Sequence, residues 1–266
     1  MLRLLTALVL LPVVILTIVK GLPWHFALLL SLFTAVGLHE FFAMALPDRK
    51  GELLPFALYG ALAVFTPLLS DGRLFIMAGA GFFLLAAFHF LFRLQNMESV
   101  ARDVSLVVTA YLYVPFLLAH LVMLRLLPDG SSWLLVIMLI VMTNDTAAYY
   151  IGSAIGKHRL YPAVSPKKSV EGALGGLLGS LGGTLLAKFT FFGSLSYVDA
   201  VLAAVLIGVT GQLGDLFESL LKRSFGVKDS GAILPGHGGV LDRLDSIILA
   251  APVTYYFAIY LCGRFS

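Results

Sequence analysis

Charged residues and cysteine are both scarce in this chain of 266 residues. Asp, Glu, Lys and Arg make up 12% of it, whereas a soluble domain carries roughly 25%. Hydrophobic residues make up 59%, and the mean hydropathy is +0.96. The single cysteine, Cys262, excludes an intrachain disulfide and a metal site built from cysteines. The composition therefore predicts an all-α, polytopic integral membrane protein and excludes an ordinary soluble domain.

Long apolar runs fill most of the chain. A transmembrane helix needs about 20 mainly apolar residues, so these runs predict about nine spans. They lie at residues 4–19, 24–46, 53–70, 74–93, 104–127, 132–152, 171–192, 197–217 and 240–262. The first run resembles the core of a signal peptide, but no small-residue cleavage site follows it. We therefore interpret it as a retained helix.

The basic residues predict the orientation of these helices. With the N-terminus in the cytoplasm, most of the 18 lysines and arginines fall at cytoplasmic helix ends and loops, as the positive-inside rule favours. We expect one transmembrane domain over residues 1–266, with N-terminal helices in 1–130 and the helices that carry the polar motifs in 131–266. Two polar motif loops, 153–170 and 218–239, then face the cytoplasm.

Charge is concentrated near residues 215–245. If the start of this stretch is helical, one face carries two carboxylates, a hydroxyl and an ammonium group: Asp215, Glu218, Ser219 and Lys222. Two more carboxylates, Asp242 and Asp245, lie one turn apart at the start of the last apolar run. Carboxylates are the ligands that Mg²⁺ prefers when it bridges a protein to phosphates. The alternative is a solvated basic loop held by ordinary ion pairs.

A glycine-rich loop separates these two groups of acids. It covers residues 224–239 and ends Pro235-Gly-His-Gly-Gly239. Glycine lets backbone N–H groups approach an anion closely, as in phosphate-binding nests. Nearby lysines and arginines would neutralise the remaining phosphate charge. The loop therefore suits a phosphorylated substrate.

A second polar segment, Ser165-Pro-Lys-Lys-Ser169, precedes a helix predicted to begin near Val170. Hydroxyls, paired lysines and a helix N-terminus together suit a triphosphate. The alternative is a basic juxtamembrane segment that touches anionic lipid headgroups. The residues alone leave both interpretations open.

Glycine recurs every four residues on the predicted helix 171–192, at Gly175, Gly179 and Gly183. Small residues at this spacing let membrane helices approach closely. We interpret the pattern as tight helix packing and not as a direct substrate contact. Such a face also makes a homodimer reasonable.

Ionisable residues inside apolar runs are costly and are candidates for function. Asp145 lies well inside the run 132–152, and Asp215 lies near the end of 197–217. Glu40, in the second run, is interpreted as structural, paired with helix neighbours or with Arg49.

A long pattern connects the charged stretch to a known family. It resembles the signature of the phosphatidate cytidylyltransferases, also called CDP-diacylglycerol synthases. The matching positions are Ser219, Leu221, Lys222, Arg223, Lys228, Asp229, Gly231, Leu234, Pro235, His237, Gly238, Gly239, Val240, Asp242, Arg243, Leu244 and Asp245. Upstream segments of the chain are also similar to recurrent segments of that family: Asn144-Asp145, Ala148-Tyr149, Ser165 to Ser169 and Glu171-Gly172.

The resemblance implies that CTP and phosphatidate react to give CDP-diacylglycerol and pyrophosphate, with Mg²⁺ as cofactor and a second cation left open. We expect Asp215 and Asp242 to hold the principal metal, because each lies where a helix meets the polar loop. Glu218, Asp229 and Asp245 are candidates for binding a second ion or for orienting the ligands of the first, and Asp145 is expected to reach the same centre from the sixth span.

The remaining implied residues contact substrate. Five basic side chains would share the phosphates of CTP and of the lipid: Lys167, Lys168, Lys222, Arg223 and Lys228. The other implied substrate contacts are Ser165, Ser169, Ser219, Gly238, Gly239 and Arg243. His237 would donate to the leaving pyrophosphate or shape the loop, and Arg243 would alternatively pair with the acids. No nucleic acid is expected as a partner.

Other functions stay open at this point. A related enzyme would make a CDP-activated ether lipid or use CTP to phosphorylate a polyprenol. A secondary transporter would more often show an internal inverted repeat, and the charged motifs here all lie in the second half of the chain. Size and the lack of a targeting extension suggest the bacterial inner membrane.

Overall fold

The structure is a computed structural model that describes residues 2–70, 72–93, 96–233 and 238–262, with the side chains of all of these except 2–7 and 9. It is 78% helical with almost no strand, as the composition predicts. His237, predicted to contact the leaving group, lies outside the described residues.

Eleven α-helices and one short hairpin make up the described chain. The helices are α1 (Leu2–Val19), α2 (Pro23–Ala45), α3 (Leu54–Ala63), α4 (Thr66–Leu69), α5 (Arg73–Phe92), α6 (Val100–Tyr111), α7 (Leu117–Leu126), α8 (Gly130–Ile155), α9 (Val170–Thr190), α10 (Tyr197–Ser224) and α11 (Leu241–Tyr260). The strands are β1 (Arg159–Tyr161) and β2 (Ser165–Ser169). A 3₁₀ turn covers Pro47–Arg49, and a π-helical turn, Leu112–Phe116, joins α6 to α7.

Within the described residues, six helical segments are long and apolar enough to cross a membrane: α2, α5, α6 through α7, α8, α9 and α10. Two shorter apolar helices cover Leu10–Val19 and Leu54–Ala63. The chain is therefore a multi-pass membrane protein. Each of the nine predicted apolar runs falls on helical structure. In the part of the chain that the structure describes, six of them are both long enough and apolar enough to cross a membrane.

Proline and serine explain several helix boundaries. The third apolar run is broken after Ala63, four residues before Pro67. A proline inside a helix has no N–H to donate to the carbonyl four residues earlier, and its ring clashes with that carbonyl. Ser169 begins α9 as an N-cap, because its Oγ accepts a hydrogen bond from Gly172 N at 3.1 Å. The serine predicted to contact substrate thus also fixes where the next helix starts.

The chain divides into two compact units. The first contains Met1–Leu126 and Asp229–Arg243, and the second contains Leu127–Lys228 and Leu244–Ser266. The end of the glycine loop and the start of α11 therefore belong with the N-terminal helices.

The first unit has an aromatic core. Phe41, Phe42, Phe56 and Phe82 are almost completely buried, and the rings of Phe56 and Phe82 meet edge to face with centroids 5.5 Å apart. Such ring pairs add to the stabilisation that buried apolar area provides in a membrane protein core.

The second unit is built on close packing of α8 against α9. A Cβ atom added to Gly175 would lie 2.5 Å from the Ile151 side chain, and one added to Gly183 would lie 2.5 Å from Thr143 Oγ1. The glycine face therefore packs tightly, as its spacing predicts. Because α8 of the same chain occupies this face, the glycines support packing within the chain, and a homodimer stays a prediction.

Two neighbouring glycines on α9 test this packing. A Cβ at Gly179 would lie 2.6 Å from Ala147 Cβ and would also strike the Thr143 carbonyl, whereas a Cβ at Gly182 meets nothing within 4 Å. We expect Gly179→Ala to lower the free energy of unfolding by about 1–3 kcal/mol through overpacking. Gly182→Ala, the matched control, should leave it unchanged or raise it by up to about 1 kcal/mol. Thermal unfolding in detergent measures both, and equal stability of the two variants would contradict the packing described.

Candidate functional site

The predicted polar face exists on α10. Asp215, Glu218 and Lys222 follow one another along its last turns, and Lys222 Nζ forms an ion pair with Glu218 Oε2. Glu218 is 1% exposed and Lys222 9% exposed. A buried carboxylate needs such a partner, because desolvation of an isolated charge is very costly.

A lysine from the hairpin reaches the same face. Lys168 Nζ lies 2.5 Å from Asp215 Oδ2, and both side chains are partly buried. Strand β2 pairs antiparallel with β1 and carries this lysine. Lys167, its neighbour, is exposed. The hairpin thus brings one of the two predicted phosphate-binding lysines to an acid on α10, 47 positions along the chain.

An acid at the start of α9 binds the residues that lead into the hairpin. Glu171 accepts hydrogen bonds from Lys157 N at 3.1 Å and His158 N at 3.2 Å, and its Oε1 lies 2.6 Å from His158 Nδ1. This clasp, together with the Ser169 cap, orients the lysine-bearing strand relative to α9.

Three carboxylates of the second unit act on a fourth, Asp245. The Asp245 carboxylate on α11 interacts electrostatically with those of Asp215, Glu218 and Asp145. Two of the four, Asp215 and Glu218, are paired with lysines.

Carboxylates crowded in this way suit a hard divalent cation such as Mg²⁺. In the described part of the chain, no three His, Cys, Asp or Glu side chains are already arranged around a metal position. The donor chemistry nevertheless fits a cation, while the observed geometry has lysines in contact with two of the acids.

Buried amides hold the helices that carry these acids. Asn144 Nδ2 donates to Ser180 Oγ at 2.7 Å, and Gln212 Nε2 donates to Asn144 Oδ1 at 3.1 Å. The network links α8, α9 and α10 one residue before Asp145 and three before Asp215. It fixes the spacing of the helices next to the acids.

In the first unit, the end of the glycine loop folds around Asp242. Its Oδ2 accepts hydrogen bonds from Ser230 N at 3.0 Å and Gly239 N at 2.8 Å. Gly238 has φ +81°, in the left-handed region that favours glycine, and a Cβ there would lie 2.7 Å from Asp242 Oδ2. The two predicted loop glycines therefore shape the surroundings of this carboxylate.

The other predicted residues lie mainly at the surface. Arg223, Lys228, Asp229 and Arg243 are exposed, and Arg223 Nη1 donates to Val227 O at 3.1 Å. Two predicted substrate contacts, Ser165 and Ser219, are half-buried. Exposed cations beside the loop suit a charged substrate, but their assignment to a substrate stays a prediction.

Sequence reasoning missed the role of Glu40. We expected it to pair with helix neighbours or with Arg49, but Arg49 Nη1 lies 3.4 Å from Asp103 Oδ2. Glu40 instead accepts hydrogen bonds from the start of α11 and from Ser230. The available signal was an acid in the middle of an apolar run, which is costly unless it has a specific partner.

Comparison with known proteins identifies the family. The Cytidylyltransferase family matches residues 1–261 of the chain. A phosphatidate cytidylyltransferase of Synechocystis sp. is 34% identical over 270 residues, covering 90% of this chain and 89% of its own length.

Two further relatives match over shorter regions. A phosphatidate cytidylyltransferase of Staphylococcus haemolyticus is 46% identical over 125 residues, covering 47% of this chain and 48% of its own. A protein of Escherichia coli named Uncharacterized protein YnbB is 39% identical over 188 residues, covering 69% of this chain and 62% of its own. The chain thus spans only about half to two-thirds of these two relatives. Taken with the match over residues 1–261, the chain belongs to the cytidylyltransferase family.

Proposed function

We propose that the protein is a phosphatidate cytidylyltransferase, which converts CTP and phosphatidate to CDP-diacylglycerol and pyrophosphate. Family membership and the name of the Synechocystis relative, matched over nine-tenths of this chain, support the activity. The structural observation that carries the proposal is the contact of Lys168 with Asp215, one of the acids that act on Asp245. A lysine beside grouped carboxylates supports the binding of phosphate together with a cation.

The reaction requires little covalent chemistry from the side chains of the protein. An oxygen of the phosphatidate phosphate attacks the α-phosphorus of CTP and forms a new P–O bond. The bond from that phosphorus to the oxygen bridging to the β-phosphorus breaks, and pyrophosphate leaves with this oxygen and its electron pair. The attacking phosphate is already anionic at neutral pH, so no general base is needed. Catalysis is then mainly positioning and charge stabilisation.

The lysines have the task of holding polyanions together. Lys168 and Lys222 are tied to carboxylates of the site, so each ammonium group is held in place before substrate arrives. We propose that they, with the exposed Lys167, Arg223 and Lys228, bind the phosphates of the two substrates. Preorganised cations of this kind stabilise developing charge without reorganisation during the reaction.

We propose that Mg²⁺ is held by acids of the second unit, with Asp215, Glu218 and Asp145 as ligands and Asp245 beside them. Asp242 stays a prediction of the sequence as a further ligand. When bound, such an ion would polarise the reacting phosphates and offset the charge of the leaving pyrophosphate. The residues themselves contribute orientation, which the lysine pairs and the buried amides support.

We further propose that all nine apolar runs cross the bacterial inner membrane, with the N-terminus in the cytoplasm. Six of them meet the requirements of a span by length and composition. The hairpin and the glycine loop would then face the cytoplasm, and most basic residues would lie on that side, as the positive-inside rule favours. CTP would reach both motif loops from the cytoplasm.

An assay in detergent micelles tests the activity. Purified protein is incubated with CTP and phosphatidate, with and without Mg²⁺, and CDP-lipid and pyrophosphate are quantified. We expect equal amounts of both products, dependent on Mg²⁺ and on phosphatidate. Turnover only with an ether-lipid phosphate or a polyprenol would assign a related CTP-dependent enzyme. No consumption of CTP with any lipid acceptor would contradict the proposal and favour a transporter.

A further inference from the structure

Glu40 is an acid buried in a membrane helix. It is 2% exposed and lies within α2, a helix long and apolar enough to cross a membrane. A carboxylate in this position is costly, and it persists only where specific partners satisfy it. Its partners are therefore the guide to its role.

Those partners lie about 200 positions along the chain. Glu40 Oε1 accepts a hydrogen bond from Val240 N, and Oε2 accepts one from Leu241 N, both at 3.0 Å. Oε2 also accepts from Ser230 Oγ at 3.3 Å. The backbone N–H groups at the start of a helix have no partner within the helix, so Glu40 caps α11 from another part of the first unit. A negative group at this end is also favoured by the helix dipole.

Two glycines of the loop segment pack closely against the Glu40 carboxylate. A Cβ atom at Gly231 would lie 2.5 Å from Glu40 Oε1, and one at Gly239 would lie 2.6 Å from Oε2. Glycine is needed at Gly231 because the Glu40 carboxylate occupies the space that a side chain would take, and at Gly239 because that carboxylate and Ser230 Oγ both do. Contact with Glu40 thus explains Gly231, and contact with Glu40 and Ser230 explains Gly239; both glycines match the family signature.

The same segment orients Asp242. Ser230 donates its backbone N–H to Asp242 Oδ2 and its hydroxyl to Glu40, and its Oγ accepts from Asp242 N at 3.3 Å. Gly239 N, next to the Glu40-bound Val240 N, also donates to Asp242 Oδ2. Any shift of this segment away from Glu40 would therefore move the amides that hold the Asp242 carboxylate.

We propose that Glu40 is a positioning residue: it fixes the first turn of α11 and the adjoining loop, and through them the orientation of Asp242. The link to catalysis rests on the proposed function, in which Asp242 is a predicted metal ligand. The link to the local structure can be measured without any turnover.

Hydrogen–deuterium exchange of the full chain in metal-free detergent solution tests the inference directly. Glu40→Gln keeps the shape of the side chain but replaces one acceptor oxygen with an NH₂ group, which faces an N–H donor. We expect amides in peptides covering residues 238–245 to exchange about tenfold faster than in the wild type. Peptides from α8 should exchange at the wild-type rate.

Thr34→Val is the matched control. Thr34 is also buried on α2, and its hydroxyl donates to Leu30 O of the same helix at 2.8 Å. Exchange over residues 238–245 should be unchanged in this variant. If Glu40→Gln does not fold, Gly231→Ala, whose added Cβ would displace the Glu40 carboxylate, should still raise exchange there. Wild-type exchange in a folded Glu40→Gln, or in Gly231→Ala if that variant is the one measured, would overturn the inference.

Activity adds a second and separable readout. In the CTP and phosphatidate assay, we expect Glu40→Gln to need about tenfold more Mg²⁺ for half-maximal rate, while Thr34→Val follows the wild type. An unchanged Mg²⁺ requirement would overturn the catalytic link. If the wild type itself makes no CDP-lipid, the proposed function fails, and the exchange result still decides whether Glu40 holds the segment.

Discussion

Replacing Asp215 with asparagine is expected to reduce CTP turnover about a hundred- to a thousandfold while the protein stays folded. The substitution removes the charge that faces Lys168 at 2.5 Å and acts on Asp245, yet keeps the size of the side chain. The proposed cation and Lys168 would both lose the Asp215 carboxylate as a partner. Initial rates at saturating Mg²⁺, with thermal unfolding as the measure of folding, provide the test.

The matched control for this variant is Asp129→Asn. Asp129 is exposed and has φ 54°, a conformation that asparagine also adopts readily. It makes the same chemical change outside the candidate site, and its activity should stay at the wild-type level. Near-normal activity of Asp215→Asn would refute the assignment of this carboxylate.

Replacing Lys222 with methionine is expected to lower the free energy of unfolding by about 3 kcal/mol. The Glu218 carboxylate, 1% exposed, would lose its ion-pair partner, and removing one member of a buried pair leaves a charge that is poorly compensated. The double variant Glu218→Gln, Lys222→Met removes both charges and should recover most of the lost stability. Thermal unfolding of the two variants in detergent measures the difference.

Measurements of activity distinguish the contribution of this pair to folding from the contribution of Lys222 to substrate binding. Both variants should have a raised Michaelis constant for CTP or phosphatidate, because the cation is missing in each. A single variant as stable as the double would show that the pair contributes nothing to folding. Unchanged Michaelis constants for both substrates would count against the phosphate-binding role of Lys222.

Local patterns in the sequence predict local features of the structure well. Asp215, Glu218 and Lys222 share a face because α10 has a regular helical period, and Gly175, Gly179 and Gly183 pack closely for the same reason. The break after Ala63 follows from Pro67. These features depend on residues within a few turns of one another.

The helical spacing of residues does not predict contacts between residues that are far apart in the chain. The pair of Lys168 and Asp215 depends on a hairpin in a segment that the sequence predicts to be a loop. The cap of α11 by Glu40 joins residues about 200 positions apart. In both cases the charged residues were visible in the sequence, but their partners are determined by how the helices pack.

The most direct test of the central claim follows the phosphorus atoms of CTP. The purified protein is given phosphatidate and CTP labelled with ³²P at either the α or the γ position. Transfer of the cytidylyl group predicts that α-label enters the lipid phase and γ-label leaves as pyrophosphate. The appearance of γ-label in the lipid, or of no label in either product, would contradict the account.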